Sequence, residues 1–304
     1  MIETTLAFVA QVLRISAPYG LAAVGGVFSE RAGVVNIALE GILLSGAFGA
    51  VYGTLASGNP WIGLLVGVAA GLAVAALHAA VTIFARADQI LSGLAINLLA
   101  FGGTRCLLEA IYHSASNSPR IDALAPLPIP FLASIPALGD LLTSPLFLLA
   151  ILVIVLAQGL LFGTGFGLAL RAAGDGPRAL DGAGLSLTAL RWSGVLLSGF
   201  FAGMAGVWLA MEQHSFTDGM SGGRGYIALA AMIVGKWSPL GAALACLLFG
   251  AAETLQIRLP DGLVPAQFLQ MIPYLVTLLV LAGWIGRATP PAKLGEAYDR
   301  EEAE

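Results

Sequence analysis

The chain has 304 residues, 58% of them hydrophobic and only 11% charged, and its mean hydropathy is +0.89. Soluble domains run at roughly 45–50% apolar and about 25% charged, so a water-soluble globular protein is excluded. The formal net charge of −4 includes an acidic tail after Leu294, and there is no basic cluster of the kind that grips nucleic acid.

Apolar runs near the ~20 residues needed to cross a bilayer lie at about Thr5–Val27, Val34–Leu55, Trp61–Ala85, Ile90–Ile111, Pro145–Phe166, Leu190–Met211, Tyr226–Val234 with its flanks, Leu240–Ile257 and Phe268–Ile285. They predict an all-α, polytopic membrane helix bundle of about nine spans. The opening Met1–Thr5 lacks the basic region of a signal peptide, so the first run is expected to stay as a membrane helix. The seventh run is short and flanked by glycine, which predicts a re-entrant or broken segment packed inside protein. Cys106 and Cys246 fall within apolar runs and read as buried membrane thiols; no metal-ligand spacing occurs.

The basic residues orient the set. With the N-terminus outside, Arg31, Arg86, Arg171, Arg178, Arg191, Lys236, Arg287, Lys293 and Arg300 are cytoplasmic, and Arg120, Arg224 and Arg258 are exterior. Arg14 and Arg105 fall within spans and are expected to snorkel or pair inside the bundle. His113–Ser144 is the one long exterior loop; its prolines predict extended segments or short helices, and it serves as a lip for a delivery protein or as a connector. The tail Arg287–Glu304 is polar and expected to fray. Gly67, Gly71 and Ala75, and likewise Gly199, Gly203 and Val207, recur at four-residue spacing, which lets helices approach closely.

Several polar groups enter the spans. Asn36 and Glu40 are four apart and share a helix face. A carboxylate at that depth either borders a permeation path or sits in the headgroup zone paired with Arg31 or Arg86. Gln89, Ser92, Gly93 and Asn97 share a second face, which lines the same path or makes a helix contact. Phe216–Tyr226 is a glycine-rich turn without the GxxxxGK[ST] pattern of a phosphate loop. His214 reads as a surface histidine. No acid–base or nucleophile set converges, so the chain is expected to be no enzyme.

The most polar stretch between spans is Leu170–Leu190, with Arg171, Asp175, Arg178 and Asp181. Asp175-Gly176-Pro177 predicts a helix start, and Gly182 and Gly184 a stop. The resulting short helix, Pro177–Asp181 or slightly longer, cannot span and offers a handle to a partner in the adjacent water.

These segments resemble a known family. Ser29–Gly41 (Ser-Glu-Arg-Ala-Gly-Val-Val-Asn-Ile-Ala-Leu-Glu-Gly) resembles the Glu-Arg/Lys-x-Gly-x-x-Asn-Ile-x-x-Glu-Gly signature of ABC-importer permeases for nucleosides and simple sugars. Gln89–Leu99 is similar to their next motif, and Phe216–Gly241 to their third. The polar loop is similar to their coupling loop through Arg171-Ala-Ala-Gly174 and Pro177–Gly184, with Leu180 and Asp181 departing from the pattern. The resemblance runs from about Leu21 to Trp284.

It implies a type II ABC-importer transmembrane domain over residues 1–290, with a coupling loop at about 170–190 and a polar cytoplasmic tail at 291–304. It further implies a bacterial inner-membrane location and a nucleoside substrate, with simple sugars as the alternative. The expected partners are a cytoplasmic ATP-binding subunit carrying the ATP and Mg, a second and paralogous permease, an extracytoplasmic binding protein, and membrane lipid. This chain itself is expected to need no cofactor. Arg171, Gly174, Pro177, Arg178, Ala179, Leu180, Asp181 and Gly184 would then form the ATPase coupling element. Arg178 and Asp181 would sit at its rim, and Ala179 and Leu180 would offer an apolar surface. Asn36, Glu40, Gln89 and Asn97 would border the substrate path. An ion-coupled secondary transporter is the rival reading, with Glu40 as its one candidate ion site.

Overall fold

A computed structural model describes residues 2–259, 271, 275 and 289–296, and among them the only regular elements are helices. Helix α1 spans Ile2–Arg31, with Glu3 in its first turn and Arg31 in its last, each charge matched to the helix dipole. After a break at residues 32–38 comes α2, Leu39–Ser57, which ends on the left-handed Gly58. Helix α3, Pro60–Ala79, starts on an Asn59 cap with proline in its first turn and widens into a π-turn at Ala80–Phe84. Helix α4, Gln89–Tyr112, is capped by Asp88, whose carboxylate accepts the Leu91 amide.

The loop His113–Ser144 carries two single turns, α5 (Pro130–Ala133) and α6 (Gly139–Leu142). Its extended part packs on the turn after residue 213: the Ser118 amide donates to Phe216 O and the Ile121 amide to His214 O. Then follow α7 (Pro145–Gly163), α8 (Gly165–Asp175), α9 (Pro177–Gly182), α10 (Leu187–Gln213), α11 (Arg224–Val234) and α12 (Pro239–Arg258).

Among the described residues, seven helices are long and apolar enough to cross a membrane: α1, α2, α3 with its π-turn, α4, α7, α10 and α12. The expected seventh span is α11, whose 11 residues reach only about 17 Å, roughly half a bilayer core. The expected ninth, Phe268–Ile285, lies outside the described residues except for 271 and 275.

Helix α10 is the central pillar and packs on α1, α2 and α3. The two small-residue rows are the two sides of one seam between α3 and α10. A Cβ added to Gly71 would stand 2.6 Å from Gly203 Cα, one on Gly67 2.5 Å from Val207 Cγ2, and one on Gly199 2.4 Å from Ala75 Cβ. The backbones touch because no side chain separates them.

Two expectations need correction. Cys246 is buried, but Cys106 is exposed on the outer face of α4, because that helix meets the bundle along one side only. The tail does not fray throughout. Residues 289–296 pack on the bundle, with Pro291 buried and backbone hydrogen bonds to Gly174 and Gly33; residues 297–304 lie outside the described set.

Candidate functional site

The break between α1 and α2 is the most elaborate polar region of the bundle. The Gly33 backbone turns at φ +89°, which favours glycine. Backbone exposed by a break inside a membrane must find partners within the protein, and here neighbouring helices supply them. Gln89 Oε1 accepts the Val35 amide at 2.7 Å. His78 sits between Val35 O at 3.0 Å and Ser92 Oγ at 3.1 Å. Asn97 Oδ1 accepts the Gly41 amide at 2.8 Å, and its Nδ2 donates to Ile37 O and to the Tyr226 hydroxyl oxygen, each at 3.0 Å. Asn36 Nδ2 donates to Ser198 Oγ at 2.8 Å on α10.

Glu40 closes this arrangement. Its carboxylate accepts the Gly223 amide at 2.7 Å and the Gly225 amide at 2.6 Å, and so caps the N-terminus of the short helix α11. The positive end of a helix dipole and two aligned amides stabilise a buried carboxylate without a basic side chain. Glycine is needed at Gly225, where a Cβ would lie 2.4 Å from Glu40 N.

The structure thus brings all four sequence-predicted path residues into one cluster. Asn36 and Glu40 are 0% exposed, Asn97 2% and Gln89 7%, so in this conformation they line no open space. They hold the break and the half-helix in register. Nor does Glu40 pair with Arg31, whose Nε and Nη2 donate to the carbonyls of Trp237 and Lys236. Tyr226, at the first turn of α11, is the open member of the cluster at 43% exposure.

Sequence reading missed a second anchor of α11. Arg224 lies 3.9 Å from Glu253 of α12 and donates to the carbonyls of Met220 and Ser221, and the Tyr19 hydroxyl of α1 donates to the same Glu253. The signal was present, since Glu253 is a carboxylate inside an apolar span. The glycine-rich turn Phe216–Tyr226 is therefore the mouth of a half-helix held by carboxylates from α2 and α12.

The second candidate site is the segment expected to couple to an ATPase, residues 170–190. Helix α8 opens on Thr164, whose hydroxyl accepts the Gly167 amide, and Arg171 stands 4.8 Å over the Phe162 ring. Gly174 sits flush on the end of α1, where a Cβ would meet Arg31 O at 2.5 Å. Helix α9 extends one residue past the expected end, to Gly182, and the chain then turns at Gly184 with φ +72°. Pro177 is buried, whereas Arg178 and Ala179 are exposed; the side chain of Asp181 lies outside the described set.

Leu180 departs from expectation. It is only 4% exposed and packs with Ala173 and Leu187. The helix folds back on α8 and the start of α10, so its one large apolar side chain fills the joint and is not presented outward.

Comparison with known proteins gives the lineage. The sequence profile of the family described as branched-chain amino acid transport system, permease component, matches residues 8–281. The chain is 42% identical over 299 residues to the guanosine ABC transporter permease protein NupQ of Bacillus subtilis, covering 93% of each. It is 40% identical over 313 residues to the nucleoside ABC transporter permease protein NupC of Lactococcus lactis, covering 98% of each. Its fold is similar to that of an ABC transporter described as of the metal-chelate type in an inward-facing conformation, with a TM-score of 0.51 at 17% identity over 91% of this chain and 85% of the other. The chain belongs to this family of ABC transporter permease components and is a transport subunit of membrane-spanning helices.

Proposed function

We propose that the chain is a permease subunit of an ATP-driven nucleoside importer with the type II architecture. The observation that carries the substrate class is the 42% and 40% identity, over nearly full length, to relatives named for guanosine and nucleosides. The reading places the chain in a bacterial inner membrane with α1 starting outside and the α8–α9 element in the cytoplasm. A partner ATP-binding subunit would carry ATP and Mg, a second permease would complete the path, and an extracytoplasmic binding protein would deliver substrate.

The geometry supports a mechanism for coupling. Helix α11 is tethered at one end to α2 and α12, through Glu40 and Glu253, and its other end leads to the Lys236–Trp237 turn held by Arg31. Gly174 of the coupling element rests on the same end of α1. A push on α8–α9 would therefore reach the α1–α2 break and tilt the half-helix. Asn36, Gln89 and Asn97 would keep the break intact during that movement, while Tyr226 would face the path. Each oxygen of the fully buried Glu40 carboxylate already accepts a backbone amide, which disfavours the ion-coupled alternative.

The test is uptake of radiolabelled guanosine by cells with and without the chain, with competitors. Unlabelled nucleosides are expected to compete and ribose or glucose are not. Competition by a simple sugar alone would overturn the substrate assignment.

A further inference from the structure

The tail segment 289–296 is tied to the coupling element by its backbone. The Lys293 amide donates to Gly174 O at 2.8 Å, and the Ala292 amide to Asp175 Oδ1 at 3.2 Å. Two residues on, the Gly295 amide donates to Gly33 O at 3.1 Å, where the segment turns at φ +81°. Pro291 is buried beneath it. One short segment thus grips both the end of α8 and the turn that opens the α1–α2 break. Below that turn lies the Arg191 guanidinium: a Cβ on Gly33 would stand 3.4 Å from its Nη2. Arg191 is buried, and its Nε and Nη2 have no acceptor among the described residues.

The outward side of the segment is polar and accessible. Lys293 Nζ pairs with Glu296 at 2.9 Å, and the two side chains are 50% and 56% exposed. Asp175, Arg178 and Ala179 are exposed on the adjoining helices. With Leu180 turned inward, the six-residue α9 has little to offer a partner by itself. A stable protein contact covers roughly 800 Å² on each side, far more than one such helix presents.

We propose that residues 289–296 are the second limb of the surface that receives the ATP-binding subunit, so that the subunit docks on a composite platform of α8, α9 and this segment. The proposal rests on the importer reading above. Its mechanical consequence is specific. Because the same segment holds Gly174 and Gly33, displacement of the platform moves the coupling element and the mouth of the break together.

The experiment uses the assembled transporter in membranes, with a photo-reactive amino acid introduced singly at position 178, 293 or 116. Cross-linking to the ATP-binding subunit is expected from positions 178 and 293 and not from 116, which lies in the exterior loop. A cross-link from 178 with none from 293 would overturn the composite platform while leaving the importer reading intact; none from either would remove both. A second arm ends the chain after residue 288. The truncated subunit is expected to lose substrate-stimulated ATP hydrolysis by about tenfold, as for removal of anchoring contacts at an interface. Unchanged stimulation in an assembled truncated complex would refute the proposal, and if the truncated chain fails to accumulate, the cross-linking result decides.

Discussion

Replacing Glu40 with alanine would leave the buried Gly225 amide and the half-buried Gly223 amide without an acceptor. Each orphaned buried donor costs about 1–3 kcal/mol, so the pair costs roughly 2–6 kcal/mol. Removing a negative charge from the mouth of a helix adds up to ~2 kcal/mol where the site is buried. Whole proteins are stable by only about 5–15 kcal/mol, so the variant should be severely weakened. Glu40→Gln keeps one acceptor oxygen but turns an amide N–H toward a backbone N–H, for a smaller loss of roughly 1–3 kcal/mol. At roughly 2 °C per kcal/mol for a chain of this size, alanine should lower the unfolding midpoint of purified protein by ~4–16 °C, and glutamine by ~2–6 °C. Backbone hydrogen exchange at Gly223 and Gly225 should rise in both. An alanine variant that unfolds at the wild-type temperature with unchanged exchange would refute the capping role.

Other outcomes follow from the same geometry. Cysteine placed at Ser116 should react with an impermeant thiol reagent from outside and cysteine at Ser186 should not; the reverse pattern would invert the orientation. Gly71→Ala should reduce the folded yield by the equivalent of ~1–3 kcal/mol of overpacking, since its Cβ meets Gly203 Cα at 2.6 Å, whereas Gly102→Ala, with open space around it, should be neutral. In the coupling element, Leu180→Asp should loosen α9 from α8 and lower expression, while Arg178→Ala should leave expression intact and weaken ATPase retention only a few-fold, as rim charges do. Equal retention and expression in both variants would contradict the inward placement of Leu180.

The long helices were legible because a lipid core demands apolar length, and seven of the predicted runs match described helices within a few residues. The half-length α11 was also legible, from the glycines at its flanks. A break between the first two spans was expected at residues 28–33, but its position at 32–38 was not legible. Val34, Val35, Ile37 and Ala38 are as apolar as any span, and nothing local stops a helix there except Gly33. What holds the break open is tertiary: Gln89, His78 and Asn97 arrive from α3 and α4 to satisfy its backbone. For the same reason Asn36 lies in the break and not on the helix face it was expected to share with Glu40, and the burial of both could not be read from helical spacing. Leu180 and the tail segment failed similarly, since the partners of each, Leu187 for one and Gly33 for the other, are remote or follow a turn of the chain. Small-residue spacing carried more information than it seemed to hold, because its two rows proved to be the two faces of one seam.

The most direct test of the central claim is guanosine uptake into proteoliposomes containing the chain, its partner permease and the ATP-binding subunit, with binding protein supplied on the side where the His113–Ser144 loop lies. Uptake is expected only when ATP and Mg are on the side of α8–α9, and it should be insensitive to collapse of proton and sodium gradients. Uptake that persists without ATP and vanishes when those gradients are collapsed would contradict the account.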